Sequence, residues 1–238
     1  MAEPTLDQLL EELGTLDVEN QSDRFDEIVA ELINHAYALG AKLPELAASL
    51  RFQHRCGAAM VYARQPRPPD AAAVRRLLGD ANPRVRIRAA EAAASCPDAR
   101  EKLRTLTEDT ESDVRIAALR SLGRAGGETA AILPALNSTE WRVREAAAKA
   151  LAGTRDSAAF GPLCAALEDD DADVRRATEG ALGPWIGELS QGEGVDKALA
   201  GLPEDVAKKV STYFDTQDRP VALLPLKDAV TRDRKSVV

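Results

Sequence analysis

A Val-Arg pair recurs along the chain, and small residues recur after each copy at helical spacing. The pair occupies Val85-Arg86, Val114-Arg115, Val143-Arg144 and Val174-Arg175, at intervals of 29, 29 and 31 residues. Alanine dominates the positions three, four and seven residues after each valine, which we term the anchor. These offsets lie on one face of a helix, where alanine lets a neighbouring backbone approach closely. The pattern predicts a helix after every anchor.

A second set of apolar positions precedes each anchor. They lie 11 and 8 residues upstream: Val74 and Leu77, Leu103 and Leu106, Ile132 and Ala135, Leu163 and Ala166. Five residues before the anchor stands a polar side chain of the kind that satisfies free amides near a helix start: Asp80, Asp109, Ser138 and Asp169. Each repeat is therefore predicted to be two helices joined by a turn.

Weaker copies extend the array at both ends. His54-Arg55 lies 31 residues before the first clear anchor, and Val206-Ala207 lies 32 residues after the last. Atypical terminal repeats are what a solenoid requires where its stack stops. The sequence predicts an all-α, right-handed α-solenoid of about six helix pairs over residues 43–215.

The flanks differ from the repeats. Residues 1–42 are predicted to form an acidic N-terminal helical cap, with one helix over Thr5–Leu13 and another over Ser22–Leu39. Residues 216–238 show no clean period and are predicted to be an extended or disordered tail.

Composition and charge refine this interpretation. With 43 alanines and nine aromatic residues, the core is expected to consist of closely approaching helices. The net charge of −8 is the sum of three unequal parts: −9 in residues 1–50, +7 in residues 51–155 and −6 in residues 156–238. Three widely spaced cysteines, an acidic N-terminus and the lack of a long apolar run favour a cytoplasmic protein with reduced thiols and no membrane contact.

The repeated motif Asp-x4-Val-Arg-x2-Ala-x2-Ala-Leu, carried most fully by residues 109–122, 138–151 and 169–182, resembles the HEAT-like repeats of the phycobilisome-lyase type. The resemblance implies a HEAT-like, armadillo-like solenoid. It implies little about function, because similar repeats occur in bilin lyases, DNA-repair proteins and signalling scaffolds. For this family we expect the arginine after each anchor to pair along the stack with turn acids such as Asp109 and Asp113.

Catalytic chemistry finds little support in the sequence. The chain has two histidines and no recognisable nucleophile, phosphate-loop or zinc motif. The acidic run beginning at Asp169 lacks the glycine and glutamate of a calcium loop, which favours a helix-capping turn. We predict no catalytic, cofactor-binding or metal-binding residues, and the sequence favours a non-enzymatic role.

Surface binding is the better candidate. The second helices are expected to line a concave face and to present there the positions two, five and six after the anchor. With the tryptophan that precedes the third clear anchor, the candidate protein-binding residues are Ile87, Ile116, Leu119, Arg120, Trp141, Glu145, Lys149 and Arg176. The apolar members predict a groove for a partner helix or for the protein's own N-terminal helix. Trp141 is either an interface residue or a turn residue folded over its neighbouring repeat.

Three functions remain open at this point. The first is a scaffold or adaptor that binds an unidentified protein partner on the concave second-helix surface. The second, implied by the resemblance, is a bilin lyase or isomerase subunit. The third is nucleic-acid binding through the basic middle repeats, which the overall negative charge makes less favourable.

Overall fold

The computed structural model describes residues 4–18, 20–35, 39–40, 42–64, 70–152, 154 and 156–189, with side chains up to residue 183. Within these ranges the chain forms α-helices and short 3₁₀ turns, and no strand. The helices are α1 (Leu6–Thr15), α2 (Ser22–Asn34), α3 (Leu43–Ala47), α4 (Phe52–Arg64), α5 (Ala71–Leu78), α6 (Pro83–Ala93), α7 (Arg100–Thr105), α8 (Ser112–Ala125), α9 (Thr129–Ile132), α10 (Trp141–Ala152), α11 (Phe160–Ala166) and α12 (Ala172–Leu189).

The chain divides into two compact units. Unit 1 is Met1–Ala125 and unit 2 is Gly126–Val238. Unit 1 contains α1, α2 and three helix pairs, which we number repeats 1 to 3: α3–α4, α5–α6 and α7–α8. Unit 2 contains repeats 4 and 5, α9–α10 and α11–α12. The boundary between the two units, after Ala125, falls inside the predicted solenoid. The predicted division into a cap of residues 1–42 and a solenoid of residues 43–215 therefore stays a prediction. The weak copy at Val206-Ala207 and the predicted tail at 216–238 lie outside the described residues.

The anchors are core residues of the second helices. Val85, Val114, Val143 and Val174 are all buried, as is the residue four positions later in each repeat: Ala89, Ala118, Ala147 and Thr178. The apolar residues eleven positions before the anchors, on the first helices, are buried too: Val74, Leu103, Ile132 and Leu163. The helix pairs and alanine contacts predicted from the spacing are therefore present in the structure.

An arginine–aspartate ladder connects consecutive turns within each unit. The arginine that follows an anchor donates from Nε and Nη2 to the two carboxylate oxygens of the turn aspartate in the next repeat. The same arginine donates from Nη1 to two backbone carbonyls in the turn that precedes its own helix. The carboxylate pairs are Arg55–Asp80 (2.5 and 3.0 Å), Arg86–Asp109 (2.8 and 2.8 Å) and Arg144–Asp169 (2.7 and 2.8 Å). The Arg86–Asp109 pair confirms the pairing expected for Asp109.

The aspartates of this ladder also shape their own turns. Asp109 accepts the amide of Glu111, and Asp169 accepts the amide of Asp171. Burial alone would raise the pKa of Asp109, but hydrogen bonds from Arg86 and the Glu111 amide, with the charges of Arg86 and Arg115, lower it overall. The hydrogen bond from Arg144 lowers the pKa of Asp169 against the effect of burial. Both carboxylates are thus held in the ionised form that the ladder needs.

The N-terminal helices pack against the second helix of repeat 1. At Gly57 of α4 a Cβ atom would lie 2.8 Å from Cδ2 of Leu13 on α1, so the glycine allows this close approach. Gln53 donates to the carbonyl of Leu16 at 3.1 Å, and Nε2 of His54 donates to the carbonyl of Leu10 at 3.0 Å. His54 stands where the other repeats have the anchor valine, and its hydrogen bond links α1 to repeat 1.

Helix starts and ends follow local signals only in part. Thr5 and Gln8 form a reciprocal capping box at the start of α1, next to the predicted helix start at Thr5. Helix α2 starts at Ser22 as predicted but ends at Asn34 rather than Leu39, because the backbone of His35 leaves the helical region, with ψ near 16°. Arg24 of α2 joins the two helices through its hydrogen bonds to Glu12 at 2.7 and 2.8 Å.

Candidate protein-interaction surface

Two of the predicted surface residues lie in the interior. Ile116 is 5% exposed and Leu119 is 0% exposed. The prediction that they face solvent in a groove is therefore wrong.

The reason lies in how the second helices pack. Each contacts the neighbouring second helix as well as its own first helix: α4 with α6, α6 with α8, and α10 with α12. A position five residues after the anchor lies about 140° around the helix from it, on the side of such a neighbour. That position is buried in four repeats, by Ala59, Ala90, Leu119 and Ala148. The buried arc of a second helix is thus wider than the single stripe assumed from the sequence.

In repeat 1 the second-helix face is covered by the chain itself. The residues two, five and six after the degenerate anchor are Cys56, Ala59 and Met60, and all three are buried. Helices α1 and α2 both pack against α4. Of the two occupants considered for this face, the protein's own N-terminal helices occupy it at repeat 1.

In unit 2 the corresponding face carries exposed side chains. Trp141, the first residue of α10, is 41% exposed. Glu145 and Lys149 follow at intervals of four residues on the same helix and form an ion pair at 2.5 Å. On the adjacent α12, Arg176 is exposed and paired with Asp173 at 2.7 Å. The structure thus places four of the eight predicted residues on two packed second helices, with one large aromatic side chain among alternating charges.

The two remaining predicted residues lie in unit 1. Arg120 is exposed near the middle of α8, whereas Ile87 on α6 is half-buried. Ile87 lines a groove of about 690 Å³ between the N-terminal segment and the second helices. The groove is bounded by Val18, Phe25 and Asp26 on one side and by Cys56, Arg84, Ile87 and Arg88 on the other.

One exposed apolar residue was missed by sequence reasoning. Leu50 is 99% exposed in the turn between α3 and α4. The equivalent turn positions hold Ala81, Thr110, Thr139 and Asp170, so a comparison of the turns would have singled out the leucine. Among the described residues, Leu50 and Trp141 are the large apolar side chains that are exposed.

The cysteines behave as small buried hydrophobes. Cys56, Cys96 and Cys164 are free and buried. Burial raises the pKa of the Cys56 thiol to about 12, although the neighbouring charge of Arg88, with Arg55 and Arg84, opposes this rise, and burial also raises the pKa of Cys164 to about 12. Protonated thiols are poor nucleophiles. Cys56 therefore contributes an apolar surface to the groove.

Among the described residues, no three or more histidine, cysteine, aspartate or glutamate side chains are grouped so that they could hold a metal ion. The acidic run at Asp169 is a capping turn, as predicted: Asp171 accepts the amides of Asp173 and Val174 at the start of α12. Of the helices described, none is long and apolar enough to cross a membrane.

Comparison with known proteins identifies the repeats. Residues 71–133 and 129–210 match the family model for HEAT repeats. The chain belongs to the HEAT-repeat family. This match confirms the HEAT-like repeats that the resemblance implied, and the helical structure of the described residues agrees with the α-solenoid predicted from the anchor spacing.

Two solved structures are similar to this HEAT-repeat chain. YibA of Escherichia coli is 14% identical, with a TM-score of 0.55, over 98% of this chain and 93% of YibA. An engineered protein is 22% identical, with a TM-score of 0.50, over 82% of this chain and 96% of its own. At these identities the similarity shows the fold alone. Among curated proteins, none matches the sequence.

Proposed function

We propose that this HEAT-repeat chain is a non-catalytic scaffold that binds a protein partner on the second-helix face of unit 2. The observation that carries the proposal is Trp141, which starts α10 with 41% of its surface exposed. Tryptophan is enriched among the residues that dominate binding energy at protein interfaces, and arginine shares that property. Arg176, on the neighbouring helix α12, is a second residue of a type enriched at interfaces on this face.

Ordinary packing offers a weaker account of this side chain. In the other repeats the second helix begins with Phe52, Pro83, Ser112 or Ala172. The fold therefore does not require an aromatic ring at that position. The ion pair of Lys149 with Glu145 leaves a polar rim beside the ring, as interfaces commonly have.

The experiment is affinity capture with the full chain as bait, read by quantitative mass spectrometry. We expect Trp141→Ala to reduce the capture of specific partners at least about tenfold, which corresponds to about 1.4 kcal/mol of binding energy. Leu50→Ser is the matched control, because it removes the other exposed apolar side chain, from a turn in unit 1. Equal capture by wild type and Trp141→Ala, or equal loss in both variants, would contradict the proposal.

Two other functions have direct tests. A bilin lyase or isomerase role, the finer relation implied by the phycobilisome-lyase resemblance, predicts a change in the absorbance of a linear tetrapyrrole on mixing. Nucleic-acid binding predicts retention that weakens steeply with salt. The scaffold is preferred because ladder arginines such as Arg86 and Arg144 already bind aspartates, which lowers the charge available for phosphates.

A further inference from the structure

The groove of about 690 Å³ in unit 1 has an apolar floor and one basic wall. Phe25, Cys56 and Ile87 contribute apolar surface. Arg84 and Arg88, one helical turn apart on α6, stand on either side of Ile87 in sequence and line the same wall. A smaller groove of about 330 Å³ shares Val18 and Arg84 with the first, and Asp17, Phe52 and Gln53 also line it.

Helix α2 shows what kind of segment this face accommodates. Its buried stripe consists of Phe25, Ile28, Val29 and Leu32, and it packs against α4. Its outer face is acidic, with Asp23, Asp26 and Glu27 exposed. Repeat 1 therefore already binds an acidic amphipathic helix from the same chain. The groove continues this contact onto the next second helix, α6, which contributes Arg84 and Arg88 to its lining.

From this continuity and from the charge of the α6 wall, we propose that the groove binds an acidic amphipathic helix of a partner protein. The apolar side of that helix enters between Phe25 and Ile87, and its carboxylates face Arg84 and Arg88. Asp26, on the opposite wall, repels carboxylates and so favours this orientation over the reverse. The mode is a helix laid in a groove and anchored at intervals of three and four residues. The inference rests on the proposed scaffold function and adds the chemistry of one partner.

The probe is a fluorescent synthetic peptide with the sequence of α2, residues 22–34, titrated with the full chain and followed by anisotropy. Its control is the same peptide with every aspartate and glutamate changed to the amide. We expect the acidic peptide to bind at least about tenfold more tightly than the amide peptide, and the difference to shrink as salt is raised.

Arg88→Glu tests the wall, and Arg104→Glu is its matched control. Arg88 is 38% exposed and pairs with Glu91, while Arg104 is 45% exposed, pairs with Glu101 and lies on the first helix α7, outside the groove. Arg88→Glu should weaken peptide binding at least about tenfold, and Arg104→Glu by less than about twofold. Ile87→Ala supplies a second variant without a charge change and should also weaken binding.

Several results would overturn the proposal: no binding of the acidic peptide, equal binding of the amide peptide, or equal weakening by Arg104→Glu. A dimer that Arg88→Glu dissociates, detected by sedimentation, would assign the groove to a second copy of the chain instead. Leu50→Ser should leave peptide binding unchanged, because this exposed turn residue does not line the groove. If peptide binding fails while partner capture still depends on Trp141, the groove assignment is wrong and the scaffold function stands.

Discussion

The second helices of repeat 1 and of repeats 4 and 5 share one pattern but present different surfaces. In repeat 1 the residues two, five and six after the anchor are small or apolar and buried, on a helix against which α1 and α2 pack. In unit 2 the residue five after the anchor of α10 is also buried, but the positions two and six hold Glu145 and Lys149 on α10, and position two holds Arg176 on α12, beside an exposed tryptophan. The repeat motif therefore fixes the helix pair, while residues outside the motif decide whether its face is covered.

The largest effect should separate the buried from the exposed members of the predicted surface. Leu119→Ala should lower the free energy of unfolding by about 3 kcal/mol, because a fully buried leucine leaves a cavity when truncated. Trp141→Ala should lower it by less than half as much, because 41% of the tryptophan is already exposed to solvent. Urea denaturation followed by circular dichroism measures both. Similar losses of unfolding free energy in the two variants would contradict the assignment of Leu119 to the core and Trp141 to the surface.

The ladder offers the next contrast, between partly buried and exposed ion pairs. Asp169→Ala should cost about 3 kcal/mol in urea denaturation, because it leaves the guanidinium of Arg144 without its carboxylate partner at a site where both side chains are largely buried. Glu101→Ala breaks the exposed pair with Arg104 and should cost less than about 1 kcal/mol. An equal, small loss in both would show that the ladder contributes little to stability.

Glycine-to-alanine substitutions should have opposite signs at two kinds of position. Gly126 and Gly127, where unit 2 begins, have φ values of 73° and 69°. Alanine at either should destabilise by about 1 kcal/mol through backbone strain alone, since a Cβ atom meets nothing within 4 Å. Gly180 of α12 has equally open surroundings but a helical backbone, so Gly180→Ala should stabilise by about 1 kcal/mol. Thermal unfolding of the three variants checks the signs, and destabilisation by Gly180→Ala would refute this explanation.

The smallest effect should appear as a pH dependence. The pKa values of Asp109 and Asp169 are lowered in the folded chain, so their contribution is present at neutral pH and is lost as pH falls below about 4. Asp169→Asn should therefore show a shallower loss of unfolding free energy between pH 5 and pH 3 than wild type. Urea denaturation at several pH values measures the slopes, and equal slopes would count against this electrostatic role.

The sequence predicted the helix pairs well, because anchors such as Val114 and their following alanines report burial through one regular period. The resemblance to HEAT-like repeats implied that the arginines after the anchors pair with turn acids such as Asp109, and Arg86 does so. The sequence-based prediction failed at Leu119 and Ile116, because a helical period describes one buried stripe while a second helix in a stack is buried on two sides. Leu50 lies in a turn, and turn residues show no hydrophobic periodicity from which their exposure could be predicted.

Oxidative footprinting of the native full chain tests the difference between a covered and an open second-helix face most directly. Hydroxyl radicals oxidise methionine and tryptophan readily wherever solvent reaches them, and mass spectrometry locates the products. The structure predicts rapid oxidation of Trp141 and strong protection of Met60, relative to the same residues in the denatured chain. Oxidation of Met60 at its denatured rate, or protection of Trp141 in the isolated protein, would contradict the account.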